Sequence, residues 1–171
     1  MLATKNKPIG VFDSGVGGLS VLIELRKLLP HEDFVFLAYQ LYVPYGEKSK
    51  KQLIDLAYRV GDYFIKNHDV KMIVVACNTS TCYSVDNLRK KCSFPVVGTE
   101  PAIKVAAEQT ENGKIAVMST PATSKSMAVR KLIKNYCKNI EVLNIGCWNL
   151  ENIVENGKIN DSKLLRKYLK V

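Results

Sequence analysis

Ala76-Cys77-Asn78-Thr79-Ser80 sets a cysteine between an apolar run and a stretch that reads as the start of a helix. A thiol in that setting lies near the positive end of a helix dipole and near unsatisfied N–H groups, both of which favour its thiolate. Such a group takes or gives protons near neutral pH. The competing reading is a buried structural cysteine, the ordinary place of this small, weakly polar side chain. Asp13-Ser14-Gly15-Val16-Gly17-Gly18 puts a carboxylate and a hydroxyl after another apolar run. The glycines that follow allow tight turning and close approach of backbone to a ligand. With no lysine after Gly18 it is not a Walker loop, nor is it Gly-x-Gly-x-x-Gly. Here the alternative is that Asp13 or Ser14 simply caps the next helix. Pro44-Tyr45-Gly46-Glu47-Lys48-Ser49 reads as a loop entering a helix with Ser49 as its cap, or as a plain turn. Gly98-Thr99-Glu100-Pro101 and Thr120-Pro121-Ala122-Thr123-Ser124 open two more helices, each with a proline suited to the first turn. Cys82, Cys92 and Cys137 lack the setting of Cys77 and read as packing residues. No Cys-x-x-Cys pair occurs, and His31 and His68 stand without companions, so no metal site is expected.

The elements that must hold these residues are legible in the hydrophobic pattern. Short apolar runs at 9–12, 34–38, 72–76, 96–97, 115–118 and 142–145 alternate with amphipathic stretches at 18–29, 49–67, 80–91, 102–109, 124–136, 150–155 and 161–169. Alternation of this kind is the pattern of parallel strands joined by crossover helices, an α/β fold. Three of the runs lead straight into small polar residues and then a helix: Val11-Phe12-Asp13-Ser14, Val75-Ala76-Cys77-Asn78-Thr79 and Val117-Met118-Ser119-Thr120. In an open parallel sheet, ligands bind at the carboxyl ends of the strands. One polar site assembled from several loops is the expectation.

Composition narrows the classes of function. The 171 residues are 47% hydrophobic and 24% charged, ample for a buried core and unlike a disordered chain. No apolar run approaches the roughly eighteen residues of a membrane span. The amino-terminal residues lack the apolar core of a secretory signal, and five cysteines fit reduced thiols, so a cytoplasmic protein is expected. The net charge of +9, from 25 Lys and Arg against 16 Asp and Glu, raises nucleic-acid binding as a candidate. Its basic residues are scattered in short groups on helical stretches, with no recognition motif or stacking platform. A solvated helix face is the reading adopted, with no nucleic-acid and no membrane partner.

Taken together and in order, Asp13-Ser14-Gly15-Val16-Gly17-Gly18, Pro44-Tyr45-Gly46, Ala76-Cys77-Asn78-Thr79, Gly98-Thr99-Glu100-Pro101 and Thr120-Pro121-Ala122-Thr123 resemble the glutamate racemases of the aspartate/glutamate racemase family. The resemblance covers essentially the whole chain. It implies two flavodoxin-like parallel-sheet domains, 1–97 and 98–171, the second incomplete. It also implies a cofactor-independent isomerase that interconverts L- and D-glutamate for peptidoglycan synthesis. In that mechanism two cysteines act on opposite faces of the substrate α-carbon, one as thiolate and the other as thiol. By resemblance Cys77 matches the first catalytic cysteine, Asp13 the carboxylate that assists it, and Glu155 an acidic catalytic residue near the second cysteine. Asp13, Ser14, Tyr45, Gly46, Asn78, Thr79, Thr120 and Thr123 match positions that bind substrate. The family's second cysteine belongs to a later Gly-Cys-Thr-His segment, before which this sequence stops, and Cys147 matches a cysteine outside the catalytic pair. Tyr39 stands where the family usually has Asp. The expectation is a racemase cut short before its second base, self-associating through exposed sheet edges. A catalytically incomplete glutamate-binding or interaction module is the alternative.

Overall fold

The computed structural model of the chain describes residues 6–169. The chain forms two compact units, Met1–Glu100 and Pro101–Val171. In the first, strands β1 (Ile9–Asp13), β2 (Phe34–Ala38), β3 (Met72–Val75) and β4 (Val96–Gly98) make a wholly parallel sheet in the order β2-β1-β3-β4. Helices α1 (Gly18–Leu28), α2 (Lys50–His68) and α3 (Asn78–Lys91) supply the crossovers. Two short 3-10 turns, Gln40–Tyr42 and Tyr45–Glu47, lie between β2 and α2.

Strand alternation sorts the apolar residues to two faces. Ile9, Val11, Val74 and Ala76 meet Val21, Leu22 and Leu25 of α1 on one face. On the other, Phe12, Ile73, Val75 and Val96 meet Leu53, Leu56, Ala57, Val60 and Phe64 of α2 with Val85 and Leu88 of α3. The α2 set recurs at helical spacing, and each large side chain there contributes about 1.5–3 kcal/mol on burial. That burial, rather than exposed ion pairs such as Lys27–Glu24 and Arg89–Asp86, holds the layers together. The start of α2 is fixed by a capping box. Ser49 Oγ accepts from the Gln52 N–H at 3.3 Å, and the Ser49 N–H donates to Gln52 Oε1 at 2.8 Å.

The second unit carries a parallel pair, β5 (Lys114–Ser119) and β6 (Glu141–Gly146), in register from Lys114 opposite Glu141 to Ser119 opposite Gly146. Around it run α4 (Ile103–Gln109), α5 (Pro121–Lys125), α6 (Met127–Tyr136), α7 (Leu150–Glu155) and α8 (Ser162–Leu169). Among the described residues, no helix is long and apolar enough to cross a membrane. No group of three or more His, Cys, Asp or Glu among them is arranged to hold a metal ion.

Two helices depart from the pattern read in the sequence. The one expected at 80–91 begins two residues earlier, because the sulfur of Cys77 caps it from outside. The one expected at 124–136 is two helices. Ser126 adopts an extended conformation, ends α5 with its N–H on the Thr123 carbonyl, and caps α6 by accepting from the Val129 N–H at 3.1 Å. A serine that bonds its own backbone breaks a periodicity that otherwise runs on.

Candidate active site

The topology of the first sheet reverses between β1 and β3, since β2 is added on one side of β1 and β3 on the other. Connections leave such a switch point in opposite directions and open a crevice at the carboxyl ends of the strands. Asp13 is the last residue of β1, and Cys77 follows β3 by two residues. Register places the two ends side by side, Phe12 opposite Val75. Thus the two groups singled out for their chemistry converge, although 63 residues of chain separate Ser14 from Cys77.

Cys77 Sγ lies 3.4 Å from Ser14 Oγ and accepts from the Ser80 N–H at 3.4 Å, which makes Cys77 the N-cap of α3. Asp13 Oδ2 accepts from the Gly18 N–H at 2.6 Å, so the carboxylate also holds the first amide of α1. The capping reading of Asp13 is met by this bond. Thr81 Oγ1 donates to the Val75 carbonyl at 3.2 Å. Thr99 Oγ1 donates to the Val75 and Ala76 carbonyls at 3.1 and 3.0 Å, fixing the strand end that presents Cys77. This role of Thr99 was not drawn from the sequence. Its signal is a threonine directly after the short strand Val96–Gly98.

Asn78 is exposed and Thr79 buried on the first turn of α3, and Gly46 is buried in the Tyr45–Glu47 turn. Tyr45 is 1% exposed, and its ring packs 6.3 Å from that of Phe12. Its hydroxyl is the only buried side-chain N or O among the described residues without a hydrogen-bond partner. Leaving such a group unsatisfied costs about 1–3 kcal/mol. Tyr39 meets Tyr42 edge-on with ring centroids 4.8 Å apart, and Arg59 Nη1 donates to the Tyr42 hydroxyl at 3.0 Å.

Burial dominates the electrostatics here. It pushes the Cys77 thiol up to about 12, with the neighbouring Asp13 charge adding to the effect and hydrogen bonds from Ser14 and Ser80 working against it. The helix-dipole argument from sequence points the other way and is overruled, because removing the thiolate from water outweighs what one helix end returns. Asp13 is likewise raised by burial, against hydrogen bonds from the Gly18, Ser14 and Gly15 amides and the Cys77 thiol. Two adjoining groups that both resist charge favour one shared negative charge over two.

A titration follows from the thiol. Since the thiolate is the alkylated form, iodoacetamide labelling of Cys77, followed by peptide mass spectrometry, is expected to rise about tenfold per pH unit from about pH 7 to pH 10 without levelling. A plateau below about pH 8 would show a thiol of ordinary or lowered proton affinity.

In the second unit, Thr120 Oγ1 donates to Thr123 Oγ1 at 3.0 Å and accepts from the Thr123 N–H at 3.2 Å, capping α5. Thr123 is buried. Thr120 also lines a cavity of about 220 Å³ at the carboxyl ends of β5 and β6, with Met118, Cys147, Leu150 and Glu151. Glu155 is the last residue of α7, half-buried, and does not line that cavity.

Residues 25–170 match the Asp/Glu/Hydantoin racemase family. The glutamate racemase of Herpetosiphon aurantiacus is 44% identical over 155 residues, 91% of this chain and 61% of that protein. A crystal structure of a glutamate racemase isoform from Bacillus anthracis superposes with a TM-score of 0.82 at 31% identity, over 96% of this chain and 61% of that one. The Escherichia coli glutamate racemase, solved in complex with L-glutamate and the activator UDP-MurNAc-ala, gives a TM-score of 0.81 at 32% identity, over 96% and 65% of the two chains. The chain thus spans a little over three fifths of the length of these relatives.

Proposed function

Since the chain belongs to the Asp/Glu/Hydantoin racemase family, we propose that it is a glutamate racemase, interconverting L- and D-glutamate without a cofactor and supplying D-glutamate for peptidoglycan synthesis. The observation that carries this reading is the pairing of Cys77 with Asp13 and Ser14 at the switch point of a parallel sheet.

In this reading Cys77 is the base on one face of the α-carbon. Its proton passes to Asp13, giving a thiolate beside a carboxylic acid. The net charge of the pair is unchanged, so the transfer adds no second buried charge. The thiolate then takes the α-proton, and the electron pair remains on the substrate as carbanionic charge, which aimed hydrogen bonds must stabilise. The substrate ammonium sits on the same carbon as that proton. A base at a reacting distance of about 3–3.5 Å therefore has a cation close by, which offsets the cost of a buried thiolate. Ser14 and the first turn of α3, with Asn78 and Thr79, offer hydroxyl, amide and backbone donors for the carboxylates. Tyr45 and Gly46 border the same cluster. Thr120, Thr123 and Glu155 are assigned by their match to the family, as substrate-binding residues and as an acid.

The test is proton NMR of L-glutamate and, separately, D-glutamate in D2O with the chain, following α-proton loss together with optical rotation. Cys77 serves one face of the α-carbon, so Cys77-dependent exchange of at least one enantiomer is expected. Exchange of both with decay of rotation would show that a second base serves the other face. No exchange with either would overturn the reading in favour of a module that binds glutamate without turning it over.

A further inference from the structure

The Val75 carbonyl, two residues before Cys77, accepts from three donors: the Thr99 N–H at 3.0 Å, Thr99 Oγ1 at 3.1 Å and Thr81 Oγ1 at 3.2 Å. One peptide oxygen thereby ties β3 to the end of β4 and to α3. Thr99 Oγ1 also reaches the next carbonyl, that of Ala76, at 3.0 Å. A peptide unit is planar, so a hold on the Ala76 oxygen is also a hold on the nitrogen and Cα of Cys77, from which the sulfur projects. The following peptide is held as well, since the Cys77 carbonyl accepts from the Thr81 N–H at 2.9 Å. Close approach makes this possible: a Cβ on Gly98 would stand 2.6 Å from Thr81 Cγ2. Strand pairing does not require the hydroxyl bonds, because the Thr99 N–H alone continues the β3–β4 ladder.

We infer that Thr99 and Thr81 are positioning residues for Cys77: by holding the Val75 and Ala76 carbonyls, their hydroxyls fix the peptide plane that carries the sulfur and keep the thiol at reacting distance from the α-carbon. Both hydroxyls donate to backbone oxygens, so they act through the chain and not on the transferred proton. Misplacing a reacting group by about 1 Å costs about 10²-fold in rate, which is the effect such a hold prevents. The inference rests on the reading of Cys77 as a base and adds how that base is held.

Thr99→Val removes the hydroxyl and keeps the branched shape, while the Thr99 N–H and Thr81 still pair the Val75 carbonyl. Tm is therefore expected to fall by no more than a few degrees. The kcat of glutamate α-proton exchange falls about 10–100-fold with KM within about twofold, and Thr99→Ser, which returns the hydroxyl without the methyl, recovers most of the loss. Iodoacetamide needs no fixed approach and labels Cys77 at an unchanged rate. An unchanged kcat, or a Ser variant as impaired as the Val one, overturns the inference. Labelling that slows together with kcat also overturns it, by showing that the hydroxyls set proton affinity instead. Amide hydrogen exchange gives a reading without glutamate. In Thr99→Val the N–H groups of Ala76 and Thr81, bonded to the Phe12 and Cys77 carbonyls, are expected to exchange about tenfold faster, with those of Val11 and Ile73 unchanged. Uniform acceleration marks a general loss of stability and counts against the role. Local loosening, where the unsubstituted chain exchanges neither enantiomer of glutamate, would remove the racemase reading and leave the hold on Cys77 standing. Should Thr99→Val fail to fold, Thr81→Val takes one donor from the same Val75 carbonyl. Its kcat is expected to fall about tenfold, with recovery in Thr81→Ser, and an unchanged kcat overturns the inference.

Discussion

Cys77→Ala is expected to abolish α-proton exchange with glutamate, the rate falling by about 10²–10⁴-fold, the range a positioned acid–base group supplies. The fold does not depend on the thiol to that degree. Its structural duties are the cap bond from Ser80 and the contact with Ser14. Loss of such a cap costs about 1 kcal/mol, a shift of a few degrees in Tm. Circular dichroism and the thermal midpoint of the variant therefore stay near those of the unsubstituted chain while NMR exchange disappears. Cys77→Ser makes the same point more sharply. It restores a polar cap, but a hydroxyl ionises far less readily than a thiol and does not restore exchange. Undiminished exchange in either variant would show that another group is the base.

Gly18→Ala is expected to destabilise the first unit by about 3 kcal/mol and to impair exchange with it. A Cβ on Gly18 would stand 2.5 Å from Asp13 Cβ and 3.1 Å from the Phe36 ring. Asp13 Cβ is tied directly to the backbone of β1, so relief requires the strand end or the start of α1 to move. Either movement breaks the 2.6 Å bond from the Gly18 N–H to Asp13 and displaces the carboxylate from Cys77. Gly157→Ala is the control. Its Cβ would meet nothing within 4 Å, and only its positive φ of 66° resists the change, at about 1–2 kcal/mol. Urea unfolding of the two variants measures the contrast. Equal midpoints would mean that the Gly18 loop yields where the geometry says it cannot.

Most of the first unit's architecture was legible because short apolar runs alternating with amphipathic stretches mark parallel strands and their crossover helices. The runs at 9–12, 34–38 and 72–76 fall on β1, β2 and β3 within a residue at either end. Local reading failed where a side chain settled a boundary through its own hydrogen bond. Ser126 split a continuous amphipathic pattern, and Cys77, a residue type seldom counted among caps, started α3 early. Tyr39 shows a third limit. Its ring meets Tyr42 edge-on, while Arg59 of α2 donates to Tyr42 from 17 residues further along the chain, a grouping that no local pattern reveals.

What the sequence by itself determined is the alternation of parallel strands and helices and the polar residues at their carboxyl ends, because both follow from the local order of side chains. The tertiary structure decided how those residues behave. It brought Ser14 to Cys77 across 63 positions, packed Phe12, Tyr45 and the α2 face into one buried cluster with Cys77, and reversed the proton affinity that the helix end alone suggests. Burial sums contributions from side chains distant in the chain, and desolvation grows with that sum, so the charge state of Cys77 belongs to the packed unit and not to its neighbours in sequence.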